Sequence, residues 1–196
     1  EEMLEIAGSG AKVVTARAVR LAYRGNFVIN VRSSFNNNSG TKIMNKSQIM
    51  EKNHIASITS NANIAVIYLH EAYETNLGIA AMLANQNIQI LSVIYRENST
   101  EIIIHLNQYN KAEAILRNEI KHYSIRKNLA LISVIGLGIK DDAAILGKIL
   151  NYLKSINIKL HSLISSEFKI SLLIDEAHIN ELLKTLHENL ITRPKG

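Results

Sequence analysis

The chain has 196 residues, enough for one or two domains, and 47% apolar residues with which to fill a core; it has no cysteine, which excludes disulfides and thiol chemistry and fits a reducing cytoplasm. The net charge is +5, but the positive residues (Lys121, Arg126, Lys127, Lys140, Lys148, Lys154, Lys159) are scattered among acids, with no basic arm, no Trp and only three Phe, which argues against a nucleic-acid surface. No run of 18 apolar residues exists to span a membrane, and the acidic start Glu1-Glu2-Met3 is neither a signal peptide nor a natural start, so a fragment of a longer protein is expected.

Taken in chain order, Met3, Leu4 and Ala7 share one face of an opening helix, and Lys12 to Tyr23 reads as a second helix with Val13, Ala16, Val19 and Leu21 near its apolar side. Phe27 to Val31 alternates as a strand does, and Asn36 to Gly40 is a turn cluster. The polar stretch Asn45 to Asn53 reads as a connection between domains.

From residue 54 the chain repeats itself. Leu83 to Ile94 and Leu153 to Ile164 are related by an offset of 70 residues, with Leu83, Asn87, Ile88, Ser92 and Ile94 identical to Leu153, Asn157, Ile158, Ser162 and Ile164. The same gapless offset pairs Ile67 with Leu137, Glu71 with Asp141, Ile79 with Ile149 and Glu97 with Glu167. Self-similarity at a fixed spacing indicates a duplicated unit. Each copy predicts a strand (Ile64–Leu69; Leu131–Ile139), a helix (Glu74–Asn85; Asp142–Ser155), two strands (Ile88–Tyr95 and Glu101–Leu106; Ile158–Ile164 and Lys169–Ile174) and a closing helix (Gln108–Ile120; Ala177–Leu190). Strict alternation puts Ile88, Ile90 and Ser92 opposite Gln89, Leu91 and Val93. An extra strand, Ile55–Thr59, precedes both copies and is able to pair with either. The expected fold is therefore α+β: two ferredoxin-like βαββαβ units in tandem, helices on one face of an antiparallel sheet.

Several segments resemble a known family. Glu2-Met3-Leu4-Glu5-Ile6-Ala7 with Gly10-Ala11-Lys12-Val13, and Val31-Arg32-Ser33-Ser34-Phe35 followed by Asn37 and Gly40-Thr41, resemble the end of the aspartate kinase catalytic domain. Ile164 to Ser171 and Leu186-His187-Glu188 resemble that family's second ACT domain and last helix. The resemblance implies residues 1–43 as the helix–strand remnant of an α/β kinase domain, 44–53 as a linker, and 54–122 and 123–196 as two ACT domains. For the intact protein it implies ATP-dependent phosphorylation of the aspartate side-chain carboxylate, with Mg, on the route to lysine, threonine and methionine. It further implies feedback by lysine or threonine, a homodimer formed through ACT domains, and a cytoplasmic location without nucleic-acid or membrane partners.

The same resemblance implies the site residues. The family's Lys-Phe-Gly-Gly-like segment is absent, so no catalytic residue is assigned and the fragment alone is expected to be inactive, without a cofactor of its own; only Lys12 matches a position near ATP. Effector contacts are implied at Glu71, Glu74, Gln89, Ile90 and Tyr95, with Asn157, Lys159 and Leu160 from the second copy across an interface. Here the chain departs from the family: neither His70–Glu74 nor Lys140–Ala144 holds the Pro-Gly turn of amino-acid-binding ACT loops, Glu74 replaces a glycine, and Tyr95 a smaller polar residue. Glu71 and Asp141 have two readings, as acids facing an effector ammonium group or, with Asp142, as ordinary helix caps. Gly136-x-Gly138 is too short for a dinucleotide fingerprint, the His residues lack metal-ligand spacing, and Ser165-Ser166-Glu167 has no base beside it. A free-standing amino-acid-sensing ACT module and a truncated remnant that no longer senses are the alternatives to a kinase regulatory region.

Overall fold

A computed structural model describes residues 2–10, 13–36, 38–44, 55–96 and 99–191. The helices are α1 (Glu2–Gly8), α2 (Ala16–Gly25), α3 (Tyr73–Asn85), α4 (Tyr109–Glu119), α5 (Ala143–Ser155) and α6 (Ile179–Leu186). The strands are β1 (Ile29–Val31), β2 (Thr41–Ile43), β3 (Ile55–Leu69), β4 (Ile90–Arg96), β5 (Ser99–His105), β6 (Tyr123–Gly136), β7 (Ser162–Ser166) and β8 (Lys169–Asp175). The chain divides into two compact units, one of Glu1–Ser60, Ile132–Leu172 and Asn180–Gly196, the other of Asn61–Leu131 and Leu173–Ile179.

Residues 73–85 and 143–155, 99–105 and 169–175, and the 3-10 turns at 106–108 and 176–178 all obey the 70-residue offset. Burial follows it too, residue by residue, from 101 to 119 and from 171 to 189. The chain is built as tandem ferredoxin-like units, as the duplication predicts. The extra strand, Ile55–Ser60, belongs to the compact unit that holds α5, β7 and the start of β8.

Asparagine punctuates both copies. The described non-glycine residues with positive φ are all Asn: Asn26, Asn63, Asn87, Asn128 and Asn157. Asn tolerates the left-handed conformation because its short polar side chain bonds locally. Asn87 (φ 57°) and Asn157 (φ 54°) follow α3 and α5 at the 70-residue offset, whereas Asn63 (φ 59°) and Asn128 (φ 58°) interrupt β3 and β6 at an offset of 65. This corrects the gapless pairing. Ile64-Ala65-Val66-Ile67 corresponds to Leu129-Ala130-Leu131-Ile132, and Ile67 and Ile132 are fully buried while Leu137 is 42% exposed. The loop into α5 is longer by the difference of the two offsets and takes a 3-10 turn after the left-handed Gly138.

In the unit containing α3, the strands lie in the order β4-β5-β3, antiparallel, with Ile67 opposite Ile102 and Ile102 opposite Val93. Ala65, Ile67, Leu69, Ile102 and Ile104 meet Ile79, Leu83, Ala112 and Leu116 in one core, against which Ile90 and Val93 also pack. Ile90 and Val93 share a face because the register shifts between Ile90 and Ser92; a bulge adds one residue and reverses the alternation expected beyond it.

In the other unit, α2 is capped by the Thr15 hydroxyl, which accepts from Ala18 N–H at 3.3 Å, and β1 and β2 form a short antiparallel ladder. Glu2 Oε1 accepts from Leu137 N–H at 3.0 Å, and Lys169 Nζ donates to Glu5 at 2.8 Å. The hydroxyls of Ser133 and Ser171 satisfy each other at 2.8 Å, so two buried polar groups are accommodated inside the sheet.

Candidate effector site at the start of helix α3

An α-helix begins with N–H groups that have no partner within the helix, and these attract a carboxylate. In α5 the chain supplies one: Asp142 Oδ1 accepts from Ala144 N–H at 3.0 Å and Ile145 N–H at 3.1 Å. Capping is therefore the observed role of Asp142. At the same offset α3 begins after Ala72, which makes no side-chain cap bond. The two copies therefore differ at the helix start, which a side chain caps in α5 and not in α3.

The loop before α3 is tied to the strand after α4. Glu71 Oε1 accepts from His122 N–H at 3.2 Å and lies 3.1 Å from His122 Nδ1, while His70 N–H donates to His122 O at 3.1 Å. The Glu71 carboxylate thus already has a partner. Asn76, buried on the core face of α3, donates from Nδ2 to Glu71 O at 2.9 Å. The first ring of α3, Tyr73, meets Tyr95 of β4 edge to face with centroids 5.5 Å apart. Burial and then the neighbouring Tyr73 push the Tyr95 phenol above its ordinary value of 10.0, so it is neutral at physiological pH.

The implied residues fall into three groups. Glu71, Glu74, Gln89, Ile90 and Tyr95 lie in the unit containing α3. Gln89 N–H donates to Gln108 Oε1 at 2.7 Å, and Ile90 sits in the ladder opposite Ile104. Asn157, Lys159 and Leu160 lie in the other unit, just before β7. Lys12 lies outside the described residues. His122, Asn76 and Thr100 were missed. Asn76 carries a readable signal, a polar side chain in the stripe Asn76, Ile79, Ala80, Leu83; His122 carries none, because its contact spans 51 residues.

Among the described residues no group of three or more His, Cys, Asp or Glu is placed to hold a metal, and no helix is long and apolar enough to cross a membrane.

Residues 132–190 match the family model described as "ACT domain". Over 194 residues the chain is 36% identical to an aspartokinase of Rickettsia felis, covering 95% of this chain and 48% of that protein. Along 95% of its length the chain is similar to an aspartokinase, and its residues 132–190 are similar to an ACT domain. It spans about half the length of the curated relatives it matches, such as 48% of the Rickettsia felis protein. The fold agrees. Aspartokinase III of E. coli with aspartate and ADP superposes with a TM-score of 0.80 over 97% of this chain and 45% of that one, at 19% identity. The same enzyme with lysine and aspartate gives 0.74 over 97% and 45%, at 20% identity. The ligand-free regulatory subunit of aspartate kinase from Thermus thermophilus gives 0.62 at 17% identity, over 68% of this chain and 96% of that subunit.

Proposed function

We propose that this chain is the sensing part of a cytoplasmic kinase that phosphorylates the side-chain carboxylate of L-aspartate with ATP and Mg, and that a free amino acid, lysine or threonine, regulates it by binding at the start of α3. The domains on this reading are 1–43, the end of the catalytic domain, a linker at 44–53, and ACT units at 54–122 and 123–196; two copies of the chain pair through the ACT units. Lys12 matches a position near ATP in the aspartate kinase family, and no described residue is assigned a catalytic step.

The observation that carries the proposal is the contrast between the copies: Asp142 fills the N–H groups of α5, and Ala72 leaves those of α3 to a ligand. The attachment to a kinase, rather than a free-standing sensor, is supported by residues 13–44. Val13, Phe27 and Phe35 are 72%, 69% and 96% exposed there, as expected of a piece whose packing partners belong to a larger domain.

Calorimetry with L-lysine and L-threonine, on the wild-type chain and on Ala72→Asp, tests this. Saturable heat is expected with at least one amino acid on the wild type. Ala72→Asp is expected to weaken it at least tenfold, because the new carboxylate caps α3 as Asp142 caps α5 and stabilises the helix by about 1 kcal/mol. No heat with either ligand up to millimolar, or unchanged binding to a folded Ala72→Asp chain, contradicts the proposal.

A further inference from the structure

The unit containing α3 buries two polar side chains whose hydrogen-bonding capacity is not met. Asn76 and Thr100 are each 1% exposed, and Asn76 Oδ1 and Thr100 Oγ1 have no hydrogen-bond partner among the described residues. The amide cannot be relieved by turning it over, since Oδ1 would then face the Glu71 carbonyl that Nδ2 now serves at 2.9 Å.

Strand and helix geometry bring the two to the same end of the unit. Alternate residues of a strand share a face, so Thr100 is on the side of β5 that carries Ile102 and Ile104 into the core beneath α3. Thr100 stands opposite Leu69, the last residue of β3, and opposite Tyr95. Asn76 lies in the first turns of α3 on its buried face, and helical side chains lean towards the N-terminus, where its Nδ2 meets Glu71. The Tyr73–Tyr95 ring pair stands at that end too.

The second copy shows that the fold does not require these groups. At the 70-residue offset Asn76 becomes Leu146, Thr100 becomes the buried Ile170, and Ala72 becomes the capping Asp142. Two unmet polar groups and an uncapped helix occur together in one copy, and the apolar pair and the filled cap occur together in the other.

We infer that Asn76 and Thr100 determine the specificity of the effector site, selecting an amino acid with a hydroxyl side chain, the class of threonine and serine, over lysine. The inference rests on the effector site proposed above. The ligand hydroxyl donates to Asn76 Oδ1 and accepts from the Thr100 hydroxyl once the two tyrosine rings part, while the ligand carboxylate takes the free N–H groups of α3. The pair is uncharged and the Glu71 carboxylate is held by His122, so a lysine ammonium group placed against Asn76 and Thr100 would find no charge in the pair itself, and the exposed Glu74 of the first turn is the acid left to meet it.

Titration of the chain with L-threonine, its hydroxyl-free isostere L-valine, and L-lysine decides the matter. Threonine is expected to bind at least tenfold more tightly than valine or lysine, because a site built around a hydroxyl leaves its own polar groups unpaired when the hydroxyl is missing. Thr100→Val, which preserves shape, and Asn76→Ala are each expected to bring the threonine-to-valine ratio close to one. Equal binding of threonine and valine, or a ratio unchanged in both variants, overturns the inference and leaves the effector site standing; an absence of binding by every amino acid removes both. Serine, smaller but with the same hydroxyl, is expected to be discriminated from alanine in the same direction.

Discussion

Replacing Ile102 by Ala is expected to lower the unfolding free energy by about 2–5 kcal/mol. Ile102 is fully buried, lies between Ile67 and Val93 in the antiparallel ladders, and packs in the cluster that includes Leu83 and Leu116. Truncation removes hydrocarbon from the middle of the core and leaves a cavity that surrounding strands cannot collapse to fill. Its counterpart at the 70-residue offset, Leu172, is also fully buried, and Leu172→Ala is expected to cost a similar amount. Urea unfolding of both variants checks this. A loss below about 1 kcal/mol in either would show that its copy is not packed as described, since core truncations of this size cost more.

Thr100→Val is expected to act in the opposite direction, raising the stability of the ligand-free chain by about 1–3 kcal/mol. Burying a hydroxyl without a partner costs its full desolvation, and valine fills the same space with no such penalty. Ser133→Ala is the natural control. The Ser133 hydroxyl is also buried, but it has the Ser171 hydroxyl at 2.8 Å, so its removal orphans a partner and is expected to destabilise. Thermal or urea unfolding of the two variants with no amino acid added gives the signs. If Thr100→Val destabilises as Ser133→Ala does, Thr100 has a partner that stabilises it without any effector, and the reason for singling it out disappears. A gain in stability would place Thr100 among residues kept at a cost to the fold.

Much of the fold was legible because the duplication is carried by core positions. The helices at 73–85 and 143–155 fall within a residue of the bounds that periodicity and acidic starts predict. What was not legible has local causes. Leu137 is apolar and happens to stand at the right spacing, so the longer loop before α5 passed as strand. The first half of β6 was hidden by Ser124 and Arg126, which alternate outward while Tyr123 and Ile125 pack against the core, and by the exposed Lys127 that follows. The bulge between Ile90 and Ser92 leaves no trace in composition. At the site, an acid before α3 was visible, but its engagement by His122 was not, because nothing in a sequence pairs residues 71 and 122. Asn76 and Thr100 were missed, because only burial without a partner in the folded chain singles them out.

The central claim, that an amino acid's carboxylate docks on the first turn of α3 and not of α5, is tested most directly by amide-resolved NMR of the chain titrated with L-threonine and L-lysine. The amide resonances of Glu74 and Thr75 are expected to move saturably, because they stand at the 70-residue offset from Ala144 and Ile145, whose N–H groups hold Asp142. Those of Ala144 and Ile145 are expected to stay in place. Resonances that move at α5 as much as at α3, or at neither with both ligands in millimolar excess, would contradict the account.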